Sequence, residues 1–123
     1  MVNLLEDYDY FLLLELSIDG HHFITDACNS ALERHGYTRE ELVGQPIAKL
    51  LTEEAKKRAV QNGALIKSGK AVRFETTHLR KDGTTFNVAV NAKMMAMGGR
   101  LVILTLERDI TGARANGGLP AGN

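Results

Sequence analysis

The residues able to do chemistry in this 123-residue chain are few: one cysteine, four histidines and a scatter of carboxylates. Cys28, Leu32 and His35 fall on one face of a helix-forming stretch. A Cys–His nucleophilic pair needs a third group to orient the imidazole and a site for the oxyanion, and neither is recognisable, so this stripe reads as core packing. His21 and His22 are adjacent in a strand, where successive side chains point to opposite faces, which argues against a shared metal ion. The motifs G-x-S-x-G, G-x-x-x-x-G-K-[ST] and H-E-x-x-H are missing. No catalytic or metal-ligating residue is therefore assigned. What remains is His78 and Glu107 in strand-like runs and Asn62 in a helical one, polar groups that become a site only if the fold brings them together.

Hairpin register decides whether it does. In "VRFETTHLRK", Asp82-Gly83, "TTFNVAVNAKMMAM", a strict two-residue loop would set Phe86 on one face with Leu79, Thr77 and charged Glu75. A three-residue loop with Gly83 in the left-handed region instead groups Phe86, Val88 and Val90 with His78, Thr76 and Phe74. The second register keeps Glu75 off the buried face and is preferred, because a one-residue slip reverses every side chain. Across Gly98-Gly99, a two-residue loop pairs Met94 with Ile103, Ala92 with Thr105 and Val90 with Glu107, which puts Glu107 inside as well.

The elements that must position these groups follow from punctuation. A long helix starts at Thr52, its N-cap, with Glu53 and Glu54 at the positive end of the dipole, and stops at Gly69. Its face carries Ala55, Ala59, Asn62, Gly63 and Ile66, small residues that leave room beside one amide. The candidate pocket thus takes Ala59, Asn62, Gly63 and Ile66 from the helix. Phe74, Thr76 and His78 come from one strand, Val88 and Val90 from the next, and Thr105 and Glu107 from the last. The competing reading is that His78 is a hydrogen-bonded core residue, that Glu107 points to water or pairs with Arg80 or Arg108, and that packing fills the space.

Upstream, "YFLLLELSI", Asp19-Gly20 and "HHFIT" form a hairpin, followed by a helical stretch from Asp26 to Gly36. "HGYTREELVGQP" then holds a one-turn helix with Thr38 and Glu41 as a capping box, Tyr37 and Leu42 as a hydrophobic staple, and Gly44 and Pro46 as its stop. "PIAKLL" connects it to the long helix. The order is two strands, about four helices and three strands, with no internal repeat. The chain divides into an N-terminal cap segment (1–9), one α+β domain (10–114) and a Gly-rich tail or linker (115–123).

Charge and hydropathy narrow the partners. Fifteen basic and fifteen acidic residues cancel, so no global field attracts nucleic acid or an anionic membrane, and Lys56, Lys57 and Arg58 read as a solvated helix face. "YFLLL" is far too short to span a bilayer, no signal peptide is visible, and the single Cys28 suits a reducing compartment. A cytoplasmic domain is expected.

Three segments carry a resemblance: "GYTREELVGQ", "RKDGTTF" (Arg80 to Phe86) and "ERDITGAR" (Glu107 to Arg114). In this order and spacing, over roughly Asp9 to Arg114, the chain resembles a PAS domain. The resemblance implies a five-stranded antiparallel sheet with short helices on one face, acting as a non-catalytic sensory and dimerisation module. Such a module binds a small ligand or partner and relays the signal through its C-terminal strand to an effector: a histidine kinase, a diguanylate cyclase or a transcriptional regulator. Where the family often has an Asn opening the first helix, this chain has Cys28, with Asn29 beside it. No cofactor is expected. Haem-binding relatives take an axial His from the long helix, which has none here, leaving only His35 and His78 as alternatives. Flavin-binding relatives use an Asn-Cys-Arg motif where this chain has "PIAKLL". The alternative function is a small α+β enzyme using His78 or Glu107 as acid or base.

A homodimer is expected through the outer sheet face. With Ile103, Thr105 and Glu107 inward, Val102, Leu104 and Leu106 are left outside, and the first strand is equally apolar on both faces. Leu4, Leu5 and Tyr8, at helical spacing in the N-terminal segment, could cover part of that surface in their own subunit or in a partner.

Overall fold

The computed structural model describes residues 8–16 and 21–111. Among these, β1 (Tyr10–Leu16), β2 (His22–Ala27), β3 (Val72–Leu79), β4 (Thr85–Met97) and β5 (Arg100–Asp109) form one antiparallel sheet in the order β2-β1-β5-β4-β3. Between β2 and β3 run α1 (Asn29–His35), α2 (Arg39–Leu42), a 3-10 turn (Ile47–Leu50) and α3 (Glu53–Lys67), all covering one face of the sheet. The core lies in between, with Leu12, Ile24, Leu42, Leu50 and Val88 fully buried.

Both hairpins set their register through the turn. Gly83 has φ +89°, Arg80 N–H donates to Thr84 O at 2.8 Å and Gly83 N–H to Arg80 O at 3.0 Å, which defines a three-residue loop with a bulge. Phe74, Thr76 and His78 therefore pair with Val90, Val88 and Phe86 on the inner face. Gly98 and Gly99 both have positive φ, so the next loop has two residues and Val90 pairs with Glu107.

The one-turn helix α2 is held by its ends. Thr38 Oγ1 accepts the Glu41 N–H at 3.2 Å, and a Glu41 carboxylate oxygen accepts the Thr38 N–H at 2.9 Å. Leu42 is fully buried and Tyr37 packs against the core, while an ion pair from Lys81 to Glu41 ties the helix to the β3–β4 turn. Gly44 N–H donates to Ile24 O and Ile24 N–H to Gln45 O, so the segment after α2 leans on edge strand β2.

Two features differ from the sequence reading. The strand β2 runs to Ala27, and the helix starts at Asn29 rather than at Asp26. A register shift between Leu13 and Leu14 lets Asp26 and Ala27 pair with β1 while Ile24 and Ala27 both reach the core. Cys28 is the N-cap but makes no side-chain cap bond; its Sγ accepts the Phe11 N–H at 3.3 Å, so the thiol fastens the helix start to β1. The Asp19-Gly20 turn lies outside the described residues, although Leu16 and His22 pair across it.

The second correction concerns the outer face. Val102 is 2 % exposed and is not a free interface residue. It sits in central strand β5 between Glu15 and Met95, with the Arg100–Glu15 ion pair running diagonally beside it. Leu104 and Leu106 are half-buried. Leu4 and Leu5 lie outside the described residues. Tyr8 is seen over this face, where its hydroxyl accepts a hydrogen bond from Asn91 Nδ2 at 3.1 Å.

Candidate functional site

The small residues of α3 do what their spacing suggests. Ala55, Ala59 and Gly63 turn toward the sheet and leave a cavity of about 80 Å³. Around it the structure brings together Ala59, Asn62, Gly63, Ile66, Phe74, Thr76, His78, Val90, Thr105 and Glu107. Val88, also expected there, does not line it: its cross-strand neighbour Asp109 is held by Arg34 of α1 at 3.1 Å, so this end of the sheet is covered by α1 and packed solid. Sequence reasoning missed Leu14, His22, Ile47, Leu51, Ala92 and Ile103. Leu14, Ala92 and Ile103 carried a signal, since they continue the inward alternation of their strands; Ile47 and Leu51 did not.

The polar groups form one buried cluster. Glu107 is 2 % exposed and its Oε2 accepts from Thr105 Oγ1 at 2.7 Å. His78 Nδ1 is 3.6 Å from Glu107 Oε1 and 2.9 Å from His35 Nε2. His35 Nδ1 is 2.7 Å from the Ala31 carbonyl, which only accepts, so Nδ1 carries the proton in the neutral ring. His35 Nε2 is then an acceptor, and His78 Nδ1–H donates to it. The Tyr10 hydroxyl lies opposite Glu107 across β1 and β5; burial first, and then the charge and hydrogen bonding of that carboxyl, push the phenol well above its ordinary range. Tyr10, His35 and Phe86 rings close the cluster on its far side.

Burial decides the charge states. Desolvation pushes His78 down to about 4, and desolvation with the neighbouring His78 does the same to His35. Desolvation raises Glu107 against the opposing hydrogen bond from Thr105. Both histidines are therefore neutral near pH 7, and burial favours the neutral form of Glu107. Glu107 pairs with neither of the arginines considered for it: Arg80 stacks on Phe86 at 4.4 Å and donates to the Arg34 carbonyl.

The cavity has a mouth. An outer groove lined by His21, Lys56 and Lys67 shares His22, Ile47, Leu51, Ala59 and Gly63 with it. The His22 ring lies close over Gly63, where an added Cβ would come within 3.4 Å of Cε1.

A five-stranded antiparallel sheet whose inner face holds a small interior cavity under short capped helices defines an α+β domain. A family model described as PAS domain matches residues 10–112, and the chain belongs to the PAS domain family. The "Methyl sulfide methyltransferase-associated sensor" of Methanosarcina acetivorans is 28% identical over 93 residues, which is 76% of this chain and 9% of that protein. The chain thus spans about a tenth of that relative's length. A light-oxygen-voltage domain studied with a flavin analogue superposes with a TM-score of 0.72 at 22% identity, covering 88% of this chain and 82% of the other. A domain of the sensory box sensor histidine kinase/response regulator from Geobacter sulfurreducens gives a TM-score of 0.65 at 24% identity, covering 81% and 82%. These two structures share the fold.

Proposed function

We propose that this chain is a non-catalytic PAS sensor module that holds a small molecule between α3 and the sheet and passes the occupancy of that site to an effector through the end of β5. The observation that carries the reading is the cavity itself, apolar for the most part, with Asn62, Thr76, His78, Thr105 and Glu107 among its polar groups. The output path is short. Two residues beyond Glu107, Asp109 bonds Arg34 of α1, and its N–H donates to Asp9 Oδ2 at 2.8 Å; Ile110 N–H then donates to Asn87 O at 2.9 Å. A shift of Glu107 or of His35, next to Arg34, reaches this joint within one residue or two. The effector is a histidine kinase, diguanylate cyclase or transcriptional regulator, in keeping with the histidine-kinase relative; a cytoplasmic setting and a second copy of the chain complete the proposal. Among the described residues no helix is long and apolar enough to cross a membrane. The enzyme alternative is weaker, since His78 Nδ1 is committed to His35.

Native mass spectrometry of the purified protein tests the reading, with a retained molecule as the expected result. Gly63→Leu should abolish retention while leaving the domain folded, because Gly63 has an ordinary backbone conformation and the added side chain enters the cavity past His22. Retention undiminished in this variant would overturn the site assignment.

The protein should also be colourless. Ligand pockets for drug-sized molecules run to about 300–1,000 Å³, against about 80 Å³ here, and α3 offers no histidine to a haem iron. The 3-10 turn Ile47–Leu50 likewise lacks the cysteine of flavin photochemistry. A stoichiometric Soret or flavin band after purification would refute this.

A further inference from the structure

We infer that the site takes a medium-chain aliphatic carboxylate, its tail in the cavity between α3 and the sheet and its head in the outer groove on the ammonium of Lys67. This rests on the ligand-sensor reading above and names the ligand class.

The tail is set by the cavity. Its buried polar groups are spent on one another: Thr105 donates to Glu107, Glu107 is also engaged by the Tyr10 hydroxyl, and His78 bonds His35. What the wall offers a guest is chiefly the apolar surface of Leu14, Ile66, Val90 and Ile103. No Lys or Arg lines this space, so an anionic head has no counter-charge inside. At ~10–15 Å³ per water-sized group, about 80 Å³ holds roughly six methylenes.

The head is set by the groove, which has a volume of about 530 Å³ and meets the cavity at His22, Leu51 and Gly63. Lys56, Lys67 and His21 line it, and no Asp or Glu does. The charge is felt at the mouth: burial first, and then Lys67 and His21, push His22 below the ordinary imidazole range. Lys56, Val60, Gly63 and Lys67 recur at helical spacing and share one face of α3. Lys56 is already bonded to Glu53 at 2.6 Å, which leaves Lys67 as the anchor. Lys67 lies one turn beyond Gly63, about 6 Å along the axis. Helical side chains tilt toward the N-terminus, which directs that of Lys67 back toward the mouth. One cation fits a monoanion, and roughly six groups inside with two more to reach Lys67 give about eight carbons.

The test is a titration of the isotope-labelled full chain with octanoate, 1-octanol, octylammonium and acetate at equal ionic strength, following the amide signals of Gly63, Lys67 and Ile103. Octanoate is expected to saturate most tightly, with octanol about fivefold weaker, octylammonium about tenfold weaker and acetate not saturating. Lys67→Glu, an exposed substitution in the last turn of α3, should make octylammonium bind tighter than octanoate, while octanol stays within about twofold of wild type. Gly63→Leu should remove octanoate binding. The wild-type ranking needs no variant, so it decides the matter if either variant fails to fold. Any of the other three probes binding as tightly as octanoate, or an order unchanged in Lys67→Glu, overturns the ligand class and leaves the sensor reading standing. Octanoate binding undiminished in Gly63→Leu also overturns it, since the tail then lies outside the cavity. If none of the four probes saturates while native mass spectrometry shows a retained molecule, the class falls alone. If no molecule is retained either, both readings fall.

Discussion

Between pH 6.5 and 4.5 the domain is expected to lose several kcal/mol of stability while most of its surface carboxylates are still ionised. His35 and His78 sit near 4 in the fold against 6.5 for an ordinary imidazole, so the unfolded chain takes up their protons first. A group depressed in this way contributes stability that is complete above the unfolded pKa and disappears as pH falls toward the folded one. For each histidine the loss down to pH 4.5 is about 2.5 kcal/mol, with a limiting slope of about 1.4 kcal/mol per pH unit. Glu107 works the other way: its raised pKa makes the fold bind a proton the unfolded chain gives up, so it returns part of the loss as the pH drops. His22, half-buried and also lowered, adds to the loss. Urea unfolding at pH 7.5, 5.5 and 4.5 measures the sum. In His78→Gln, which keeps a neutral partner for His35, about half of the loss should vanish. A profile flat across this window in Glu107→Gln, where the opposing carboxyl is gone, would mean that the imidazoles are charged in the native cluster.

Leu104→Glu should convert a dimer to a monomer, with a rise of at least a hundredfold in the dissociation constant. Leu104 lies in central strand β5 opposite Leu13, Leu106 opposite Phe11, and all four are half-buried on the outer face. Toward the Gly98-Gly99 turn the same hairpin exposes Met95, Met97 and Leu101, the last by 64%. Burying large aliphatic side chains yields about 1.5–3 kcal/mol each, and a carboxylate introduced at the centre of such a surface adds the cost of an unpaired buried charge. Tyr8, bonded to Asn91, covers only part of this face in its own subunit. Sedimentation at high micromolar concentration distinguishes the cases. A monomeric wild type would end the dimer proposal and leave the N-terminal segment as sole cover.

Local signals set a large part of this fold. The Asp82-Gly83 and Gly98-Gly99 turns specify loop length through positive φ, loop length specifies register, and register specifies which of His78, Val90, Thr105 and Glu107 face inward. The capping box of Thr38 and Glu41 and the Ala55, Ala59, Gly63 stripe were equally legible, because caps and helical faces depend on residues three or four apart. What had no local signature was the bulge between Leu13 and Leu14, which carries β2 on through Asp26 and Ala27 and delays α1.

The sequence by itself determined the sheet-and-helix class, the inward sets of three strands and the polar groups that share the inner face, because these follow from period and turn chemistry over short spans. Tertiary structure alone decided the rest. It placed His35 on His78, 43 residues away, turning a helix-face residue into part of a buried hydrogen-bonded pair. The same packing set Tyr10 opposite Glu107, covered Val88 with α1, and closed neighbours around Val102 in the central strand. The size of the cavity also belongs to this level, since it is the gap left when α3 meets the sheet, and no alternation or spacing encodes the distance between two layers.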